Sequence, residues 1–176
     1  EANCEWTVEM PEWAEVNVPE STTGVVELVF SGESLEAASG KLVFKAGEDV
    51  LKEVAVSVPS CNSIEVYTAK VAEGEFEYGE DGSYAWSDKP AETVNVAWLG
   101  ADFRMPVMVD SKCSWTVVLP EWLSAEVPEK TAGKVSLTLR GVPSKYPLSD
   151  TEGKIVFKRG DKTLKELGVF IPGCQD

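Results

Sequence analysis

Apolar residues recur at every second position in short runs along this chain. Trp115, Val117 and Leu119 form one such set; Val135, Leu137 and Leu139 form another, and Leu167, Val169 and Ile171 a third. Nearer the start, Trp6, Val8 and Met10, then Val26, Leu28 and Phe30, then Val54, Val56 and Val58 follow the same rule. A period of two places one set of side chains on one face, so each run predicts a strand with one buried side. Ala46-Gly47-Glu48-Asp49 and Arg159-Gly160-Asp161-Lys162 sit where hairpins should reverse. Prolines fall at run ends, where their missing N–H breaks no ladder. The one helical candidate is a single turn over Ser34-Leu35-Glu36-Ala37-Ala38. Short strands at this spacing predict an all-β chain built as small two-sheet sandwiches.

The runs occur twice because the chain repeats itself. Cys4-Glu5-Trp6-Thr7-Val8-Glu9-Met10-Pro11-Glu12-Trp13 returns as Cys113-Ser114-Trp115-Thr116-Val117-Val118-Leu119-Pro120-Glu121-Trp122. The offset holds through Gly32 and Gly141, after which the second copy gains a loop containing Val142-Pro143-Ser144-Lys145-Tyr146-Pro147. The match resumes with Gly40-Lys41-Leu42-Val43-Phe44-Lys45 against Gly153-Lys154-Ile155-Val156-Phe157-Lys158, and both copies close on Pro-x-Cys. Aligned this way, 27 of 51 positions are identical. Such self-similarity predicts one fold used twice. The expected organisation is a first copy over 1–61, a connecting strand or hairpin segment over 62–91, and a second copy over 92–176.

The copies differ at their beginnings. Thr93-Val94-Asn95-Val96-Ala97-Trp98 and Arg104-Met105-Pro106-Val107-Met108-Val109 flank Leu99-Gly100-Ala101-Asp102 and read as a leading strand pair for the second copy. Nothing equivalent precedes Cys4. Either the first copy lacks its first strand, or residues 62–91 supply a substitute that caps its sheet edge; the other reading of 62–91 is a plain linker. Within that segment Ile64-Glu65-Val66-Tyr67 reads as a strand. Glu75-Phe76-Glu77-Tyr78 and Ser83-Tyr84-Ala85-Trp86 read as a hairpin across Gly79-Glu80-Asp81-Gly82.

Composition narrows the chemistry. The 176 residues are 43% apolar, enough for real cores, and carry 16 basic against 30 acidic side chains, a formal charge of −14. Nucleic acid, which binds through clustered cations, is excluded as a partner. No apolar run approaches the ~18 residues of a transmembrane helix. There is no histidine, which removes Ser-His and Cys-His nucleophile pairs and His-ligated zinc. Carboxylate pairs such as Glu9/Glu12 and Glu33/Glu36 satisfy the bare requirement for glycoside hydrolysis. In so acidic a chain such pairs arise without meaning, so no catalytic residue, cofactor or metal is assigned and the chain is not expected to be an enzyme. The start at Glu1, without initiator Met or leader, predicts a mature or trimmed fragment.

Four cysteines, two per copy at matching positions, are the most specific chemical signal. None lies in a C-x-x-C pair, which argues against zinc. A repeat built twice should close twice on itself, so the expected disulfides are Cys4–Cys61 and Cys113–Cys174, each worth ~4 kcal/mol on the loop-entropy model. Buried free thiols are the alternative. A lipid-bearing role for Cys4 is opposed by its alignment with Cys113 in mid-chain. Disulfides imply an extracellular, cell-surface or periplasmic setting.

The Trp-x-Val-x-x-Pro-x-Trp start, the central Gly, the Gly-Lys-[Leu/Ile]-Val-Phe strand and the hairpin before the last strand resemble the BACON group. These are immunoglobulin-like modules of secreted and surface proteins of Bacteroidetes gut bacteria. The resemblance covers Val94 to Cys174 and most of 4–61, and Trp6/Trp13 and Trp115/Trp122 carry it best. The chain departs from the group in its paired cysteines and in lacking Asn and Arg in the loops before the Gly strand. The resemblance implies two tandem immunoglobulin-like β-sandwich domains serving as an extracytoplasmic accessory module.

Two functional readings follow. One is a non-catalytic spacer or protein-interaction module. The other is a carbohydrate-binding module using exposed aromatics of the 62–98 segment, namely Tyr78, Tyr84 and Trp86. Phe76/Tyr78 and Tyr84/Trp86 at period-two spacing cover one face of the expected hairpin; exposed, that face binds a sugar or protein, and packed, it is glue. Repeated tryptophans are expected in cores. The acidic loops Gly79-Glu80-Asp81-Gly82 with Asp88, and Asp150 with Glu152, lack calcium-loop spacing and read as solvated turns.

Overall fold

A computed structural model describes residues 1–96 and 102–171. The expected turn through Leu99-Gly100-Ala101, the strand end Ala97-Trp98 and the closing Cys174 lie outside the described residues. The protein is all-β and sandwich-like, and it divides into two compact units, Glu1–Asn62 and Ser63–Asp176.

In the first unit, β1 (Thr7–Glu9), β4 (Ala38–Ala46) and β5 (Asp49–Val58) form a three-stranded antiparallel sheet, and β2 (Ala14–Val16) pairs with β3 (Phe30–Gly32). The second unit contains β6 (Ile64–Thr68), β7 (Val71–Ala72), β8 (Glu75–Phe76), β9 (Thr93–Asn95) and β10 (Arg104–Ser111). It continues through β11 (Thr116–Val118), β12 (Leu123–Ala125), β13 (Gly133–Gly141), β14 (Thr151–Arg159) and β15 (Lys162–Ile171). Two four-stranded sheets result, in the orders β12-β13-β10-β6 and β11-β14-β15-β9. Inward residues of both sheets meet in one core: Val66, Val107, Val109 and Leu139 from the first, Ile155, Phe157, Leu167 and Ile171 from the second.

The predicted hairpins are present. Gly47 and Gly160 take φ of 60° and 55° at the β4–β5 and β14–β15 turns. Both hairpins carry the same register slip, after Phe44 and after Phe157. Local geometry repeats in finer detail. Trp6 N–H donates to Thr22 Oγ1 at 2.9 Å and Trp115 N–H to Thr131 Oγ1 at 2.8 Å. Trp6 meets Phe44 edge-on at 5.3 Å, and Trp115 meets Phe157 at 5.2 Å.

The repeated glycine of the Gly-Lys-[Leu/Ile]-Val-Phe strand has a packing reason. A Cβ at Gly153 would lie 2.8 Å from Trp122 Cζ2 and 3.0 Å from Pro120 Cγ; at Gly40 it would lie 2.5 Å from Pro11 Cγ. The Pro-Glu-Trp corner therefore sits directly on that glycine. Gly153→Ala is expected to cost about 1–3 kcal/mol through overpacking, read as a lowered urea midpoint. An unchanged midpoint would mean the corner gives way without resistance.

Three expectations change. β6 neither caps the first copy nor serves as a linker: it pairs antiparallel with β10, Ile64 against Ser111 and Thr68 against Val107. The expected leading strand pair is split between sheets, because β10 joins β6 and β13 while β9 runs parallel to β15. Each of the two buries its own apolar set on one side of the same core, which a hairpin could not do. Ser34–Ala38 forms no helical turn; Ser34 bridges Ser60 and Ala38 already begins β4. A 3₁₀ turn over Pro143–Lys145 lies in the inserted loop instead.

The two copies diverge in burial. Leu167, Val169 and Ile171 are buried at 1%, 3% and 0% exposure, whereas of their equivalents in β5 Val54 is 40% exposed and Val56 and Val58 are half-buried. The side chains are similar. What differs is the cover, which β6, β9 and β10 contribute to the second unit.

Candidate functional site

The segment between β6 and β9 folds into a small antiparallel meander. Glu73 and Gly74, at φ of 53° and 85°, turn β7 into β8, a two-residue turn of the kind that matches strand twist. The next reversal follows the predicted hairpin: Gly79 N–H donates to Ser83 O at 2.8 Å and Ala85 N–H to Glu77 O at 2.9 Å. Lys70 N–H donates to Ala85 O at 2.7 Å and ties the outer strand to the inner one.

This meander gathers four aromatics. Tyr78 stacks on Tyr84 with centroids 5.1 Å apart and planes at 29°. Tyr84 also meets Phe76 edge-on at 5.7 Å and Trp86 at 6.0 Å. Phe76 packs against the core of the second unit, Tyr84 and Trp86 are half-buried, and Tyr78 is 59% exposed. The ladder is anchored at Phe76 and open at Tyr78. Burial raises the Tyr84 phenol above its usual range, with the neighbouring Tyr78 adding to the shift.

The other singled-out residues occupy structural positions. Trp115 and Trp122 are core residues of the second unit, and Trp6 and Trp13 are half-buried in the first. Tyr67 donates its hydroxyl to Glu65 at 2.8 Å, which raises its pKa. Asp81 accepts the Ser83 hydroxyl at 2.6 Å and the Ser83 N–H at 3.0 Å, which holds its carboxyl below the ordinary range. Asp88 pairs with Lys70 at 2.7 Å. Among the described residues no three carboxylates or thiols converge on a point where a cation could sit.

The cysteine pairing is a correction. Cys61 is disulfide-bonded to Cys113, and Cys4 is a free, exposed thiol; the expected Cys4–Cys61 and Cys113–Cys174 bridges do not form. The cause is strand register. With Ile64 opposite Ser111 in the β6–β10 ladder, the residues just before β6 come beside those just after β10. Ser111 Oγ closes that turn, donating to Cys113 O at 2.9 Å and accepting its N–H at 3.3 Å.

Two of the grooves lined by described residues are each of ligand size. In the second unit a hollow of about 800 Å³ runs beside β9, β14 and β15, and Glu152 is its one lining carboxylate. In the first unit a hollow of about 580 Å³ is lined by Trp6, Val26, Leu28, Phe30, Phe44 and Leu51. Beside this second hollow Val25 and Val29 are 82% and 76% exposed. Sequence periodicity marked Val26, Leu28 and Phe30 as the buried face of one strand, whereas Val26 and Leu28 lie outside any strand and only Phe30 enters β3.

No family model matches the chain, and no curated protein matches it. Among solved structures, the S-layer protein SbsC, domains 5-6, is similar with a TM-score of 0.30 and 17% identity. That match covers 99% of this chain and 82% of that chain, a likeness too low to bear on fold or role. No helix among the described residues is long and apolar enough to cross a membrane.

Proposed function

We propose that this chain is a pair of immunoglobulin-like modules acting outside the cytoplasm as a non-catalytic spacer and protein-interaction element. The strand orders of the second unit carry the reading. Taken as A, B, E and D, strands β6, β10, β13 and β12 follow the order of one immunoglobulin sheet, and β11, β14 and β15 follow C, F and G. The 69–92 excursion then interrupts the first strand between β6 and β9. The repeat extends the module to the first copy, whose β2–β3 ladder pairs Ala14 with Gly32 as β12–β13 pairs Leu123 with Gly141. The Cys61–Cys113 disulfide supports an oxidising compartment, in keeping with the resemblance to secreted BACON modules.

In intact source cells a membrane-impermeant biotinylating reagent is expected to label the chain, with Cys61 and Cys113 oxidised. A chain shielded from the reagent with both thiols reduced would overturn the reading. The exposed, stacked Tyr78 favours the carbohydrate-binding alternative, since flat aromatics stack on sugar rings. A glycan array read with intrinsic Trp fluorescence separates the two. An interaction module gives no saturable quenching by any sugar class. Saturable quenching by one class, lost in Tyr78→Ala, would transfer the function to the aromatic ladder.

A further inference from the structure

We propose that the outer face of β14, β15 and β9 holds a slot for an arginine side chain of a partner polypeptide. Gly168 is its floor, Phe170 its stacking wall and Glu152 its counter-ion. The inference rests on the interaction-module reading above and names the chemistry by which the partner is held.

Gly168 stands inside β15, which lies between β14 and β9 in its sheet. Glycine weakens a strand interior and gives it no side chain to pack. The usual structural reasons for one are absent here. The β14–β15 register slips only after Phe157, so no bulge lies at Gly168, and Gly168 is not among the glycines with positive φ. A Cβ there would lie 3.4 Å from Thr93 Cγ2 and 3.9 Å from Glu92 O, which are ordinary contacts, unlike those that press on Gly153. What remains is close approach from outside, the other circumstance in which a strand keeps a glycine.

The repeat supplies an internal control. Both long hairpins keep a cross-strand ion pair, Lys41–Glu53 and Lys154–Glu166, each at 2.8 Å. Around that pair the copies part. The first sets Ala55 opposite Lys41 and Ser57 opposite Ser39; the second sets Gly168 opposite Lys154 and Phe170 opposite Glu152. The surface is lowered at one step and gains an aromatic wall at the next. Phe170 is 45% exposed and points away from the core that Val169 and Ile171 enter. The 800 Å³ hollow lies over these residues, with Thr93 and Asn95 of β9 along its far side.

Charge selects the occupant. Lys154 is matched by Glu166 and Lys165 by Glu92, while Glu152, the carboxylate of the hollow, pairs with no cation among the described residues. As direct cross-strand neighbours, Glu152 and Phe170 have Cβ atoms about 5 Å apart, so one flat cation can lie on the ring and reach the carboxylate. A guanidinium does both, stacking on an aromatic face and forking to a carboxylate through two N–H groups. A methyl group at position 168 would lift that plane off the floor. The formal charge of −14 on the whole chain steers a cationic partner in the same sense.

The test is a titration of the full chain with N-acetyl-arginine methylamide, followed by the shifts of its backbone amides in NMR spectra. The amides of Glu152, Gly168 and Phe170 are expected to shift saturably with a millimolar Kd. Glu152→Ser and Phe170→Ser, which install the residues of the first copy, should each weaken the probe about fivefold or more. Gly168→Ala should weaken it as much while the urea midpoint holds or rises. A lowered midpoint in Gly168→Ala would give the glycine a structural reason and overturn the proposal. So would the absence of saturable shifts, undiminished binding in Phe170→Ser, or shifts confined to residues 76–86. Saturable shifts at the same three amides with methyl glucoside, and none with the arginine probe, would overturn it in favour of a sugar. The surface-labelling result depends on none of these outcomes, so the module reading stands or falls separately.

Discussion

Phe157→Ala is expected to destabilise the second unit by about 3–5 kcal/mol, and Phe44→Ala, its counterpart in the first copy, to cost less than half as much. Phe157 is 1% exposed and belongs to the closed core. Phe44 makes the same edge-on contact with a tryptophan as Phe157 does, yet it is half-buried and lines an open hollow. Because the local aromatic contact is common to both, the difference isolates the packing that β6, β9 and β10 add. Deleting a ring from a closed core leaves a cavity whose walls relax only partly, while an open surface loses contact area but strands no void. Urea unfolding, with exchange at β4 and β14 amides reporting each unit, measures both costs. Equal losses would show that the first copy is as well sealed as the second.

The strands, their faces and the two long hairpins were legible in the sequence because each depends on neighbours a few residues apart. Alternation over Val54, Val56 and Val58 marks one face, and Gly47 marks the turn before it. Alternation cannot report whether that face is covered. Val54 and Leu167 occupy the same step of the same pattern, and only the strands preceding the second copy make one buried and the other exposed. Nor can it name a pairing partner: β6 was readable as a strand, but its place beside β10 is a choice between distant edges. The aromatic segment shows the same limit. Phe76 and Tyr78 stand two residues apart on one face, yet Phe76 is half-buried against the core and Tyr78 is exposed. The cysteines followed the strands rather than the repeat. Symmetry favoured bridges within each copy, and the β6–β10 register decided otherwise.

That register makes the disulfide the second large lever on stability. Cys61 and Cys113 close a loop of roughly 50 residues, which on the chain-entropy model contributes about 4 kcal/mol by restricting the unfolded state. The loop contains β6 and β10, two of the strands that cover the core, so its closure also holds both near their places before the sheets assemble. Reduction, or the paired substitution Cys61→Ser with Cys113→Ser, is therefore expected to lower the unfolding free energy of the second unit by up to that amount. The equilibrium denaturant slope should rise on reduction, because an oxidised unfolded chain exposes less surface than a reduced one. Cys4→Ser should change stability by less than about 0.5 kcal/mol, as befits an exposed thiol without a partner role. Alkylation of the native protein under non-reducing conditions should modify Cys4 and leave a linked pair of peptides containing Cys61 and Cys113. Recovery of a Cys4–Cys61 peptide would restore the symmetric arrangement and remove the bridge that the β6–β10 register implies.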